Sequence, residues 1–262
     1  MDASQIEVHE NAICLDSYNL TDDLRIRCHG FVEYRLGRTI QTANHDENVP
    51  LGSGTLCGYS VFQGKSTLRG NETAMLTDAP PRNANRDRFL ESDRIRTLDL
   101  PKDGRLLSHA NLVDVAMKDG TTAAVRHACA DFLAATSEFY KVQPCGIRVL
   151  AARPIRVREH SAMELFGDYT PASMMIRVWM RTAVRKEITS FGAFLSTLCH
   201  EFCHHLDFQR FGFSDSWHTR GFYDRTALLY HHVRGTPPKR LFWVLVAGGR
   251  WRIDWPRTNR GF

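Results

Sequence analysis

The sequence predicts an α+β fold, with a β-rich N-terminal region ahead of a domain built from helices and strands. Three observations carry this prediction. Apolar residues recur at helical spacing in three stretches, within 122–140, 194–206 and 222–233. Between the first two lie short runs rich in branched side chains. Up to about residue 75 the chain shows only short apolar runs broken by Gly, Asn and Asp. At 43% apolar and 24% charged residues, the composition is that of an ordinary folded chain.

In the N-terminal region, Ile6 to Val8, Leu24 to Ile26, Phe31 to Leu36 and Tyr59 to Phe62 read as strands. The segment Gly58 to Ser66 (Gly-Tyr-Ser-Val-Phe-Gln-Gly-Lys-Ser) resembles a phosphate-binding loop. It has five residues between its glycines where that loop needs four, and is expected to be a surface turn. Residues 76–105 are polar and Pro-bearing around Ala79 to Arg88, and read as a linker or long surface excursion. The expected division is therefore 1–105, the β-rich region with its linker, and 106–262, the domain that carries the chemistry.

Regular structure is expected to resume near 120. Val125, Ala128, Cys129, Phe132, Leu133 and Phe139 give a helix over Thr122 to Tyr140, broken by Pro144 and Gly146. Ile147 to Ala151 reads as a short strand and Met174 to Val184 as a longer one. In the latter Ile176, Val178 and Met180 alternate with Arg177, Trp179 and Arg181. A helix follows, N-capped by Ser190 and ended near Gly212, then another over Phe222 to Val233, stopped by Gly235 and Pro237-Pro238. Leu241 to Val246 and Arg250 to Trp255 form a C-terminal β-hairpin turning at Gly248-Gly249.

The helix begun at Ser190 carries the chemistry. His200, Glu201 and His204 read H-E-x-x-H. Residues four apart share a helix face, so His200 and His204 can direct two imidazoles at one metal ion, while Glu201 sits one step round. Zn²⁺ is the usual occupant of such a site. It lowers the pKa of a water, whose proton the Glu takes as the water attacks a carbonyl.

The third ligand decides the class. No Glu follows Glu201, which excludes sites completed by a downstream Glu. Asp207 and Arg210 stand where the H-E-x-x-H-x-x-G-x-x-H pattern requires Gly and His. His218, His231, His232 and four downstream Asp residues remain. His231 and His232 fall near a helix C-terminus, where imidazolium suits the dipole, and that reading is preferred for them over ligation. Cys199 and Cys203 flank the motif and read as small buried hydrophobes.

The motif followed by His218-Thr-Arg-Gly-Phe222, an H-x-x-x-F element, resembles the SprT-like and WLM-like zincin metallopeptidases. The resemblance covers residues from near 120 to the end, and two motifs carry it. It implies a zincin-like fold, His218 as third ligand, and proteolysis with Glu201 as general base. It also implies that a strand before the motif helix, here Met174 to Val184, is an edge that binds substrate as an added strand. The chain lacks the paired cysteines of the zinc ribbon found in many SprT-like proteins. Tyr223 is a candidate oxyanion stabiliser, because it follows the third ligand closely.

Charge and cysteine usage bound the partners. The formal net charge is +5, and the positive excess lies after Glu201. Arg250, Arg252, Arg257 and Arg260 interleave with Trp251 and Trp255, an arrangement that can hold phosphates and stack bases. The alternative function is accordingly a nucleic-acid-associated module with a structural zinc, closed by a fourth ligand such as Asp215 or Cys203. The resemblance implies a protein or peptide substrate. Seven cysteines without framework spacing, no signal-peptide pattern and no long apolar run predict a cytoplasmic protein that stays off membranes.

Overall fold

A computed structural model describes residues 28–35, 75–158 and 161–261. The elements are β1 (Cys28–Arg35), α1 (Arg86–Arg94), α2 (Arg105–Asp119), α3 (Thr122–Tyr140), β2 (Gly146–Ala152), β3 (Ile155–Arg158), β4 (Ser161–Thr170) and β5 (Met175–Arg181). They continue with α4 (Phe191–Gln209), α5 (Arg220–Arg234), β6 (Trp243–Leu245), β7 (Trp251–Ile253) and α6 (Trp255–Arg260). The architecture is α+β, as the sequence predicts. The main sheet runs β1-β4-β5-β2, with β3 also paired to β4, and only β2 and β5 are parallel.

Local chemistry explains the helices that position the site. Thr121 caps α3 by accepting from Ala124 N, and Ser190 caps α4 by accepting from Ala193 N. Thr219 caps α5 through Phe222 N, and Gly235 ends it in the left-handed region at φ 69°. Along α4, Phe194, Leu195, Leu198, Phe202 and Leu206 are buried, and the helix packs against α5, α2 and the sheet. In β5, Ile176, Val178 and Met180 enter this core, while Trp179 packs on the opposite face with Leu165 and Leu150.

Several expectations are corrected. The strand Met174 to Val184 is not an edge: β5 lies between β4 and β2. Residues 76–105 are no mere excursion. Met75 and Thr77 are buried, and Thr77 N donates to Trp251 O at 2.8 Å, so the chain is bridged to β7 at Leu76–Arg252. α1 then packs on α5. The short capping pair Ser92 Oγ–Thr219 Oγ1 (3.0 Å) and the Arg220–Asp93 ion pair tie the two together. Regular structure also resumes before 120, because Leu106, Ala110, Val113 and Met117 already form the buried face of α2.

β1 overlaps the expected strand Phe31 to Leu36. The other three N-terminal strands expected, and the Gly58 to Ser66 segment, lie outside the described residues. The C-terminal hairpin forms with Gly248 and Gly249 at positive φ, but its strands are shorter than expected, and Trp255 opens α6 instead of ending the second strand. Among the described residues no helix is long and apolar enough to cross a membrane.

Candidate metal centre

His200 and His204 are one turn apart on α4, and His218 is set just before α5 by the cap at Thr219. Their Nε2 atoms converge: His204 to His200 is 2.9 Å and His218 to His200 is 3.2 Å. All three residues are buried, and among the described residues they form the one group of His, Cys, Asp or Glu able to hold a metal ion. Phe222 explains the H-x-x-x-F spacing. Its ring stacks on His204 (centroids 4.4 Å apart) and meets His200 and His218 edge-on at 4.8 and 5.2 Å, so it walls the cluster on one side.

The tautomer of His204 follows from its partners. Ser216 Oγ donates its one proton to Asp207 Oδ2 at 2.7 Å, so at 2.7 Å it can only accept from His204 Nδ1–H. Nε2 of His204 is then left with a bare lone pair facing His200. Asp207 is held in turn by Arg225, whose guanidinium donates to Asp207 Oδ1 at 2.7 Å and to the carbonyls of Ser92 and Ile95. Burial raises the Asp207 pKa, and Arg225 opposes that rise. On the third ligand, Asp78 Oδ2 accepts from His218 N at 2.8 Å and lies 3.6 Å from Nδ1.

Nitrogens bonded to one tetrahedral Zn²⁺ at about 2.0–2.1 Å stand about 3.3 Å apart. The observed separations are close to that. Burial, followed by the neighbouring imidazoles, lowers the His200 pKa well below the ordinary value, and burial does the same to His204. Neutral imidazoles with lone pairs directed at one point are what a divalent cation requires. The donor set therefore fits a metal ion.

Glu201 is fully buried beside this cluster, and neither carboxylate oxygen has a hydrogen-bond partner. Burial, and then the Asp168 carboxylate, raise its pKa well above the usual value. Asp168 is itself clamped by Arg177 in a two-pronged ion pair. β4 passes close to Glu201 because position 167 is glycine. A Cβ there would lie 2.6 Å from Thr197 Cγ2 and 2.9 Å from Glu201 Oε1. Gly167→Ala should therefore lower stability by about 1–3 kcal/mol through overpacking, while any bound metal is retained. Denaturant unfolding together with elemental analysis checks this, and wild-type stability would count against so close an approach.

The other candidates lie outside the His200, His204 and His218 group. His231 accepts or donates with Thr236 Oγ1 at 2.8 Å beyond the end of α5, and burial lowers its pKa. Burial likewise lowers His232, so neutral imidazoles, not the expected imidazolium, are favoured at that helix end. Tyr223 stacks beside His218 and its hydroxyl donates to Leu76 O at 3.4 Å. Neither proposed fourth ligand joins the cluster. Asp215 Oδ1 accepts from Ser216 N, and burial pushes the Cys203 thiol up to about 12. Beside the hairpin turn Arg250 donates to Thr77 O, and Arg257 of α6 covers the Phe242 ring.

Sequence reasoning missed the supporting set. Asp207 carried a signal, since it follows His200 and His204 on the same face of α4. Ser216, Arg225, Asp78 and Gly167 carried none, because long-range packing brings them in. Ser216→Ala should weaken metal binding about 10–100-fold with the fold intact, the usual cost of losing a hydrogen bond behind a ligand. Competition against a chromophoric chelator measures it, and unchanged affinity would remove Ser216 from this role.

No protein-family model, curated protein or solved structure matches the chain.

Proposed function

We propose that this protein is a zinc-dependent metallopeptidase of the zincin type. The observation that supports it is the pairing of three convergent His nitrogens with an unpartnered, buried Glu201 carboxyl one step along the same helix. A site closed by four protein ligands would favour a structural metal; here three converge among the described residues. His200, His204 and His218 would hold the ion. A zinc ion there would supply Lewis acidity, making water a better nucleophile and a peptide carbonyl a better electrophile.

The remaining work belongs to the chain. Glu201 takes the proton of the attacking water and delivers it to the departing amine nitrogen. A carboxyl with raised proton affinity suits both halves of that transfer. Ser216, Asp207 and Arg225 fix the tautomer and direction of His204. Phe222 keeps water from the far side of the cluster. The four described cysteines that are free and at least partly buried, Cys129, Cys145, Cys199 and Cys203, fit a reducing, cytoplasmic setting.

The test is cleavage of casein and of a mixed peptide library by protein stripped with chelator and reloaded with zinc. New termini seen by mass spectrometry only in the reloaded sample support the reading. Equal cleavage by stripped and reloaded protein refutes it.

A further inference from the structure

We propose that the chain's own residues 28–35 occupy the sheet edge along which an extended peptide would be presented to Glu201. This rests on the peptidase reading and deepens it, by naming what holds the substrate edge in the form described here.

β4 is the strand that meets Glu201, through Gly167. A peptide laid beside Gly167 must pair with β4, and a strand has two sides. One side of β4 is taken, by β5 over Gly167–Thr170 and by β3 over Ser161–Glu164. The other side carries β1, antiparallel, from Cys28 opposite Tyr169 to Arg35 opposite Ser161. Gly30 lies opposite Gly167, so the β1 backbone passes one strand spacing, about 4.8 Å, from the residue packed on Glu201. The register slips between Gly30 and Phe31, which leaves Phe166 unmatched beside that same glycine.

A second observation agrees. His200, Glu201, His204 and His218 are 1%, 0%, 0% and 3% exposed. A hydrolytic site this closed must open before a substrate enters. Departure of β1 would free the one side of β4 that an incoming strand can use. Because β1 belongs to the same chain, its pairing with β4 is intramolecular, and a free peptide must compete with it. The edge is thus held until β1 is displaced.

The test uses the full chain. Adjacent residues of an antiparallel strand alternate between facing their partner and facing away, so Val32→Pro/Glu33→Pro must remove a ladder donor. Amide exchange over 161–169 should rise about tenfold or more. In a Glu201→Gln background, a labelled synthetic peptide of residues 26–37 should bind the proline variant at least about tenfold more tightly than the parent. Unchanged exchange, or equal peptide binding, overturns the proposal. A locking pair guards against a variant that fails to fold. Adjacent cross-strand pairs alternate in Cα separation, so either Tyr34→Cys/Ala162→Cys or Arg35→Cys/Ser161→Cys should cross-link on oxidation; failure of both also overturns it. Zinc-loaded Val32→Pro/Glu33→Pro should cleave casein faster than wild type. If docking and cross-linking hold but no form cleaves any substrate, the occupied edge stands and the peptidase reading falls.

Discussion

His218→Ala should emerge from purification nearly free of zinc, while His231→Ala keeps the wild-type content. His218 supplies one of three converging nitrogens, its Nε2 lying 3.2 Å from that of His200. Losing a ligand must cost more than the about 10–100-fold that follows loss of a hydrogen bond behind one. The backbone around the substitution should persist. Asp78 binds His218 through its N–H, and Asp78 N donates to His218 O at 2.9 Å, so those contacts do not involve the imidazole. The ring does fill space between His200 and Tyr223, and its removal should cost the metal-free protein about 1–3 kcal/mol. Elemental analysis and chelator competition report the metal, and circular dichroism reports the fold. Equal zinc in His218→Ala and wild type would exclude His218 as a ligand. Equal loss in His231→Ala would point to a general destabilisation, since His231 bonds to Thr236 away from the cluster.

The sequence carried the motif helix almost to the residue, because its signals are local. Ser190 caps it, the apolar positions share one face, and the two ligands are one turn apart. His218 was singled out only through resemblance, since the residues between it and His204 are the last turn of α4 and an irregular loop, and no period links the two. β4 was invisible for a different reason. It is paired on both sides, and the polar residues Glu164 and Asp168 are buried in it against Arg153 and Arg177. Alternation of apolar and polar residues, the usual sign of a strand, is thereby erased. α1 shows the same limit in a helix. Phe89 is its one large buried apolar side chain, and its place is set by charges and caps from α5, about 130 residues later in sequence. α2 differs from both, because its period was present in Leu106, Ala110, Val113 and Met117.

The edge assignment failed because pairing is a property of the whole sheet. Met174 to Val184 has the alternation of a half-buried strand, and that pattern does not say how many neighbours it has. β5 has two. The substrate edge proposed here passes accordingly to β4, which the motif helix meets through Gly167 and Glu201.

Glu201→Gln should hold a full complement of zinc, fold normally and lose about 10²–10⁴-fold in peptidase rate, the usual contribution of a positioned general base. Gln preserves the shape of a side chain packed against Gly167 and Thr197, so no cavity opens and no new clash arises. It removes the buried carboxylate beside the cluster that would accept the water's proton. A second readout separates this from a merely structural role. In the metal-free protein, burial raises the Glu201 pKa well above its ordinary 4.5. A carboxyl shifted in that direction stabilises the fold fully below its unfolded pKa, and that contribution is lost as pH rises through the folded value. Gln does not titrate. The stability of Glu201→Gln relative to wild type should therefore improve from acid toward neutral pH, read by denaturant midpoints of chelator-treated protein. Equal cleavage by the two proteins would assign the activity to a contaminant or to other chemistry. A flat stability difference across that range would show that Glu201 is not the buried carboxyl on which the proton transfer depends.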